Sequence, residues 1–434
     1  MRERRAMKCP SLLLTALLCA CGADGPGSRT TTIGRHDGGD EPNDPSPRDG
    51  SVDDGGHDVM SGETVLCRYD DDDVYELEAN ESLRGLSSAT NERGFALLHH
   101  AEDGALLIEA AEIGEAAQPS VQLVPAANAP GRALITASGS AFSMLWMDGE
   151  ALSVRRLESG ADTYALSDSV ATGADDAPLF AFVANDDGSW AGYAEHAGDQ
   201  VVVRVQAIGT TGALDGDPVA IELPEDSAPQ HIELAKLDRG FLLAFSEADP
   251  EEEDSLHVMG LVLSELLEAS GEPKQLSKTP VAQASFALDA RAGSAGVIYQ
   301  GLEGGVRPTV KVQRVETTGN VSQDSLNIAS APRRLSDGSI AAFGQGYAVA
   351  YRALSSLGSE MPGIHIAFVN QFGLVVHDAL LSDTTEPSGP TSIAATADGK
   401  LLASWSSLDG GTPTTHAIQL DCPGALILCG GQVD

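Results

Sequence analysis

From residue 63 onward, the chain repeats one pattern of hydrophobic and polar positions. In each copy a glycine opens a hydrophobic strand that ends at an aromatic or similar residue, as from Gly240 to Phe245 and from Gly346 to Tyr351. The glycines that open the copies are Gly94, Gly139, Gly188, Gly240, Gly293, Gly346 and Gly399. Their spacing of 45 to 53 residues predicts a repeat architecture built from small, similar units.

Further strands flank this hydrophobic strand in most copies. A strand of small residues precedes the glycine, as in residues 134–137 and 392–395, and an alternating strand follows, as in residues 201–205. Many copies then add a turn and a weaker fourth strand, for example residues 218–223. The pattern therefore predicts four strands in each copy and no amphipathic helix.

Seven copies of four strands predict an all-β fold, a seven-bladed β-propeller with four-stranded blades over residues 63–434. A four-stranded sheet buries neither face alone, so the sheets are expected to stack face to face around an axis. The first strands crowd at that axis, which accounts for their small residues. A pair of β-sandwiches is the alternative fold, although it would not require seven copies of one unit.

Both ends of the chain are expected to build the last blade. The final copy contains only three strands, and residues 74–78, ahead of the first copy, resemble the fourth strands elsewhere. An open ring would leave two unpaired sheet edges, which favour aggregation. The N-terminal strand at 74–78 is therefore predicted to close the last blade as its outer strand.

Composition restricts the functions that the chain can have. Its 434 residues include 64 acidic and 26 basic residues, which gives a formal net charge of −38, and 42% of them are hydrophobic. The apolar fraction is sufficient for a real core. The excess of acids argues against nucleic-acid binding, because such proteins neutralise phosphates with Lys and Arg.

The first twenty residues have the pattern of a secretory signal peptide. Basic residues precede an apolar run at 12–18 that is too short to span a membrane. The stretch Leu18-Cys19-Ala20-Cys21 resembles the lipobox of bacterial lipoproteins. This resemblance implies lipidation at Cys21 and a membrane partner, and Gly22 implies the outer membrane of a Gram-negative bacterium. The alternative is an ordinary signal peptide with an incidental cysteine.

Residues 21–62 differ in composition from both neighbours. They are rich in Gly, Pro and acidic residues and contain few apolar side chains. Such a segment cannot bury enough surface to offset the entropy of ordering it, so we expect a lipid-anchored, disordered tether. Dense aspartates around Asp49 and Asp58 raise calcium binding as an alternative, but their spacing does not fit an EF-hand loop.

Three cysteines remain as disulfide candidates in the exported chain, namely Cys67, Cys422 and Cys429. Cys67 precedes the proposed closing strand, and Cys422 ends the strand that would pair with it. A Cys67–Cys422 bridge is therefore expected, with a bridge between Cys422 and Cys429 as the alternative. One cysteine is left over in either case.

Motifs for catalysis, metal binding or cofactor binding are absent from the sequence. No zinc-protease, nucleophile-elbow, Walker or zinc-finger spacing occurs, so we predict no catalytic residue, cofactor or metal. The histidines His257, His365 and His416 recur early in third strands, where a packing role is expected. The acidic run at 251–254 is interpreted as a solvated loop, with partner binding as the alternative.

The first strands that would surround the axis consist of small or apolar residues, as in residues 134–137 and 392–395. A cluster of Asp, Glu, Arg or His at one end of the axis would indicate an enzyme, and no such excess is evident. The sequence therefore favours a non-enzymatic cell-envelope module that binds a protein or glycan. The alternative is a polysaccharide hydrolase or lyase with its site at the axis, and a third reading is a structural subunit of an envelope complex.

Overall fold

The computed structural model is nearly all-β. It describes residues 14–18, 29–33, 57–61, 64–69, 74–78, 86–100, 106–112, 121–124, 132–148, 151–159, 164–166, 170–175, 179–185, 188–197, 200–209, 214–225, 227–248, 255–291, 293–303, 307–321, 325–329, 338–353, 363–382, 388–409 and 412–431.

Five strands precede the first glycine repeat. They are β1 (Leu14–Leu18), β2 (Arg29–Ile33), β3 (His57–Ser61), β4 (Thr64–Tyr69) and β5 (Val74–Glu78). The β1–β2 hairpin touches a later sheet, where Leu17 faces Asp378. Strands β2 and β3 fall in the segment expected to be a tether, and most of residues 1–62 lie outside the described residues.

The glycine repeats fold as antiparallel meanders, each called a unit here and numbered along the chain. Unit one comprises β6 (Ser87–Thr90), β7 (Gly94–His100), β8 (Leu106–Glu112) and β9 (Val121–Val124). Unit two comprises β10 (Ala133–Ser138), β11 (Ala141–Asp148), β12 (Ala151–Ser159), β13 (Tyr164–Leu166) and β14 (Val170–Asp175). Unit three comprises β15 (Phe180–Asn185), β16 (Gly188–Ala197), β17 (Gln200–Ile208) and β18 (Leu214–Glu222).

The second half of the chain continues the same design. Unit four comprises β19 (His231–Leu237), β20 (Gly240–Ala248), β21 (Leu256–Leu263) and β22 (Lys274–Gln275). Unit five comprises β23 (Val281–Arg291), β24 (Ser294–Glu303), β25 (Arg307–Glu316) and β26 (Leu326–Ala329), and it joins unit four where Leu256 faces Val281. Unit six comprises β27 (Ser339–Phe343), β28 (Gly346–Ala353), β29 (Gly363–Val369) and β30 (Val375–Ser382). Unit seven comprises β31 (Ser388–Ala395), β32 (Lys400–Asp409), β33 (Thr412–Asp421) and the early strand β5.

The first strands of successive units lie side by side. Strand β6 adjoins β10, and the series continues through β15, β19, β23, β27 and β31. The last of them, β31, adjoins β6 again. The first strands therefore surround a common axis, with the later strands of each unit farther out.

The core consists of apolar layers between neighbouring units. Between units three and four, Val203 and Val205 share one buried cluster with Leu234 and Phe245. A side chain such as Phe245, which is fully buried, contributes about 1.5–3 kcal/mol by leaving water. Stacking of neighbouring sheets thus buries the faces that a single sheet would expose.

The N-terminal strand β5 pairs with the last unit, at the position predicted for a fourth strand. Strand β5 runs antiparallel to β33, with Val74 opposite Ile418 and Glu78 opposite Thr414. Residues 336 to 344 positions apart in sequence therefore share one sheet, and the outer edge of β33 is covered by backbone pairing.

The two ends of the axis differ in structure. The first strands all begin at one end, the start face, where Arg132 and His231 lie. They finish at the opposite end, the turn face, in tight turns that lead to the second strands. Gly240 shows why glycine opens these strands: its φ is +112°, and a Cβ would lie 2.0 Å from the Leu263 carbonyl oxygen.

A short helix that the sequence pattern did not predict, α1 (Pro423–Leu428), follows β33 on the turn face. Cys422 and Cys429 flank it as N-cap and C-cap. Seven residues of helical rise place their Cα atoms about 10 Å apart, beyond the reach of a disulfide. The structure instead bonds Cys67 to Cys422 and leaves Cys429 as a buried thiol.

Within the described part of the chain, no helix is long and apolar enough to cross a membrane.

Candidate functional site

A cluster of charged side chains lies at the start face, beside the axis. Arg132, just ahead of β10, donates from Nη2 to Glu233 Oε1 at 2.7 Å and from Nη1 to the Phe180 carbonyl oxygen at 2.7 Å. Its guanidinium also lies 5.2 Å from the centre of the Phe180 ring, a cation–π distance. Arg132 thereby connects unit two with units three and four.

His231 completes this cluster, which we call the axial cluster (Arg132, His231 and Glu233). Its Nε2 lies 3.0 Å from Glu233 Oε1 and 3.1 Å from the Phe286 carbonyl oxygen. The imidazole meets the Phe286 ring edge-to-face at 4.9 Å. The Glu233 carboxylate and the Phe286 carbonyl oxygen can only accept hydrogen bonds, so Nε2 is the donor and Nδ1 is the unprotonated nitrogen of the neutral imidazole.

Local sequence and ring geometry together assemble the axial cluster. His231 and Glu233 are two residues apart on β19, so their side chains lie on the same side of the strand. Arg132 is about a hundred residues earlier and comes close only because units two and four lie near one another around the axis. Its exposed fraction is 28%, against 17% for Glu233 and 16% for His231, so solvent reaches the cluster.

The axial cluster has the arrangement of an oriented base. A carboxylate that accepts a hydrogen bond from one imidazole nitrogen holds the ring in place and stabilises the imidazolium that forms when the other nitrogen takes a proton. Nδ1 of His231 makes no hydrogen bond within the described residues. Arg132 adds a cation beside it. The group can therefore accept a proton and hold an anionic ligand.

A second carboxylate lies deeper along the axis, on β23. Asp289 accepts hydrogen bonds from the backbone N–H of Ala290 at 2.7 Å and from that of Ala342, in unit six, at 2.6 Å. Desolvation outweighs these two bonds and raises the pKa of Asp289 to about 6. Asp289 therefore joins two neighbouring first strands through a carboxyl group that titrates near neutral pH.

Replacing Asp289 with Asn should remove a pH-dependent part of the stability. Because its pKa is higher in the folded than in the unfolded chain, the stabilisation is present below about pH 4 and is lost as pH rises through about 6. A shift of two pKa units corresponds to at most about 3 kcal/mol. Urea unfolding at pH 4.5 and 7.5 should show the native protein gaining stability over Asp289→Asn at the lower pH. Equal pH dependence in both proteins would contradict this.

The three third-strand histidines lie apart and pack as expected. His365 stacks on Tyr351 at 5.1 Å, and its Nδ1 is 3.3 Å from Asp378 Oδ1. His416 stacks on Trp405 at 5.3 Å. His257 contacts Gln275 through Nδ1 at 2.7 Å. Each belongs to a different unit, so no shared site results.

The sequence-predicted cysteines occupy two environments. Cys67 and Cys422 form a bond between the two chain ends, with the sulfur atoms 2.12 Å apart. Burial raises the pKa of the Cys429 thiol to about 12, which keeps it protonated and unreactive. Cys21 and the acidic run at 251–254 lie outside the described residues.

The prediction that the first strands carry no excess of charged residues or histidines was wrong for two of them. Residues 134–137 and 392–395 are indeed small or apolar, but β19 carries His231 and Glu233, and β23 carries Asp289. The alternation of polar and apolar residues from His231 to Leu234, in the strand before Gly240, could have indicated two polar side chains on one face of a first strand. Arg132 lies outside its strand and gives no such signal. In the described part of the chain, no three His, Cys, Asp or Glu residues are placed to hold a metal ion.

Comparison with known proteins gives a likeness of fold alone. No family model matches the chain, and no curated protein matches it.

Solved structures do resemble it at low identity. The polysaccharide lyase Uly1 shares 9% identity over 84% of this chain and 94% of that chain, with a TM-score of 0.50. AofleA from Arthrobotrys oligospora shares 11% over 71% and 87%, with a TM-score of 0.42. An α-L-arabinofuranosidase from Lactobacillus brevis shares 10% over 55% and 90%, with a TM-score of 0.33. The chain thus has a nearly all-β, propeller-like fold.

Proposed function

We propose that this protein is an exported, lipid-anchored lyase that cleaves an acidic polysaccharide at the start face of a seven-bladed β-propeller. The observation that carries the proposal is the axial cluster, in which Glu233 orients His231 and leaves Nδ1 to accept a proton. The likeness to a polysaccharide lyase structure adds a fold that is compatible with this chemistry.

Seven blades are supported by the arrangement of the first strands. The units adjoin one another in chain order through their first strands, and β31 returns to β6. The pairing of β5 with β33 supports closure of the seventh blade by the N-terminal strand. The Cys67–Cys422 bond adds a covalent link at the same place.

The proposed reaction is an elimination. His231 Nδ1 takes the proton from the carbon next to the sugar carboxylate, the bond from the neighbouring carbon to the glycosidic oxygen breaks, and a carbon–carbon double bond forms. Solvent returns a proton to the leaving oxygen. Arg132 pairs with the sugar carboxylate and so favours the charge that develops there.

Hydrolysis fits the axial cluster less well. Glycosidases of the usual kind need two carboxyl groups on either side of the scissile bond. Glu233 is the one carboxylate that the described residues contribute to the cluster, and both Arg132 and His231 already bind its Oε1. We therefore assign the role of general base to His231.

The test is a screen of the purified full chain against acidic and neutral polysaccharides with two readouts. An elimination yields unsaturated sugars that absorb ultraviolet light together with new reducing ends, whereas hydrolysis yields reducing ends alone. Ultraviolet-absorbing product from an acidic polysaccharide is the expected result. Reducing ends without absorbance, or no product from any acidic polysaccharide, would contradict the lyase proposal.

A non-enzymatic glycan-binding module is the second candidate. The hydrogen bonds of the axial cluster favour this candidate. Arg132, His231 and Glu233 bond to one another and to two backbone carbonyl oxygens, so their side chains are already held in place. A preformed polar surface such as the axial cluster can bind a glycan without rearranging its own side chains. Retention of the protein on an immobilised glycan without any product would support binding over catalysis.

Lipidation at Cys21 is a separate prediction. Cells fed a clickable fatty acid should label the native protein, because the sequence Leu18-Cys19-Ala20-Cys21 follows a basic segment. The variant Cys21→Ser should carry no label and should leave the membrane fraction. Equal labelling of both proteins would refute the anchor.

A further inference from the structure

The large exposed hydrophobic side chains of the described residues all lie on the turn face. Leu266 is 75% exposed, Phe372 68% and Ile427 60%, and Leu374 and Leu428 accompany them. Single exposed hydrophobic residues are common on protein surfaces. Their restriction to one of two faces is the feature that needs an explanation.

Hydrogen bonds within the turns of units four and six orient the exposed apolar side chains away from the core. In unit six, Asn370 Oδ1 accepts hydrogen bonds from the N–H groups of Phe372 and Leu374, both at 3.0 Å. Gly373 follows Phe372 with a φ of +77°. The Phe372 side chain is thereby fixed at the tip of a rigid turn, away from the core.

Unit four repeats this construction around a different apolar residue. Ser264 Oγ accepts from the N–H groups of Leu266 and Glu268, both at 3.2 Å. Leu267 takes the position of Gly373, with a φ of +62°, which is costly for a residue other than glycine. Two separate units therefore present an apolar tip in the same way on the same face.

Strand β4, which lies between Cys21 and the closing strand in sequence, joins the body at this same face. Arg68 pairs with Asp421 at the end of β33, and Cys422 follows directly. Helix α1, which carries Ile427 and Leu428, packs against β4. Gly430 lies beside Gln371, the neighbour of Phe372. The segment that leads back toward Cys21 thus joins the body beside the exposed apolar residues.

We infer that the turn face rests on a lipid bilayer, with Leu266, Phe372 and the helix residues Ile427 and Leu428 inserted in its interfacial layer. This inference rests on the proposed anchor at Cys21. A planar surface can meet apolar tips on units four and six and on α1 at once, whereas a protein partner buries a continuous patch. The start face and its axial cluster then point away from the membrane.

Charge restricts the kind of lipid. The net charge of −38 repels anionic headgroups, and the acids Glu265 and Glu268 flank Leu266. Contact therefore depends on apolar insertion into neutral or zwitterionic lipid, and the insertion is shallow.

Tryptophan fluorescence tests this orientation. The lipidated full chain carrying Phe372→Trp is reconstituted into phosphatidylcholine vesicles with plain or brominated acyl chains, and the signal of the native tryptophans is subtracted. Bromine is expected to quench the new tryptophan by at least twofold, because a side chain in the interfacial layer lies at the boundary between headgroups and acyl chains. The matched control is Ala228→Trp, an exposed position on the start face, which should show no quenching.

Equal fluorescence of the Phe372→Trp variant in both kinds of vesicle would overturn the inference. A blue shift without bromine quenching would do the same, since it would indicate contact with another protein molecule. Failure of the anchor is recognised separately, because a protein without lipid carries no fatty-acid label and does not float with the vesicles.

Discussion

His231→Gln is expected to lower the rate of polysaccharide cleavage by about 10²–10⁴-fold. Glutamine can still donate a hydrogen bond toward Glu233 and the Phe286 carbonyl oxygen, which His231 Nε2 contacts at 3.0 and 3.1 Å. It has no nitrogen that can accept a proton. The melting temperature and the affinity for the polysaccharide should therefore change little while kcat falls.

His257→Gln is the matched control, because His257 lies in the same unit but on β21 rather than at the axis. Its cleavage rate should equal that of the native protein. Glu233→Gln should lose activity to a smaller degree, since the imidazole keeps one acceptor at Phe286. Full activity of the His231→Gln variant would exclude histidine as the base.

Deletion of residues 63–80 is expected to destabilise the whole body by at least about 5 kcal/mol. It removes the strand that covers β33 and the buried side chains of Leu66 and Cys67. Each buried apolar side chain contributes about 1.5–3 kcal/mol. It also removes the Cys67–Cys422 bond, for which loop-entropy models give about 5 kcal/mol as an upper value.

Two comparisons separate these contributions in urea unfolding. Cys67→Ser removes the bond but keeps β5, so its loss of stability should be smaller than that of the deletion. Deleting residues 34–50 shortens the proposed tether and should leave the midpoint unchanged. A 63–80 deletion that unfolds at the native midpoint would show that β5 does not stabilise the ring.

The closing strand and its cysteine partner could be predicted because both rest on local pattern. Residues 74–78 resemble the fourth strands of other units, and the last copy lacks one. Given antiparallel pairing, Cys67 and Cys422 fall at neighbouring strand ends. The sequence left Cys429 as a rival partner, and only the helical rise of α1 excludes it. Six residues are too few for a helical period to be recognised.

The axial cluster could not be predicted in the same way. Arg132 and Glu233 are 101 residues apart and meet because the first strands surround one axis. A repeat pattern gives the positions of strands within a unit, but the approach of side chains across units depends on the curvature of the ring. The sequence shows His231 and Glu233 as polar residues in a first strand, but it does not indicate that Arg132 is their partner.

The position of the Cys67–Cys422 bond has a mechanical consequence. A pull on the N-terminal segment, such as fluid drag on an anchored molecule, reaches Cys67 before it reaches β5, which begins at Val74. The tension then passes through the sulfur atoms to Cys422 rather than along the backbone into the closing strand. Without the bond, the same pull would act on the pairing of Arg68 with Asp421 and then on the five residues of β5, which would separate from β33 one hydrogen bond at a time. With it, β5 stays unstressed, and the last unit resists unfolding under force applied to the N-terminal segment.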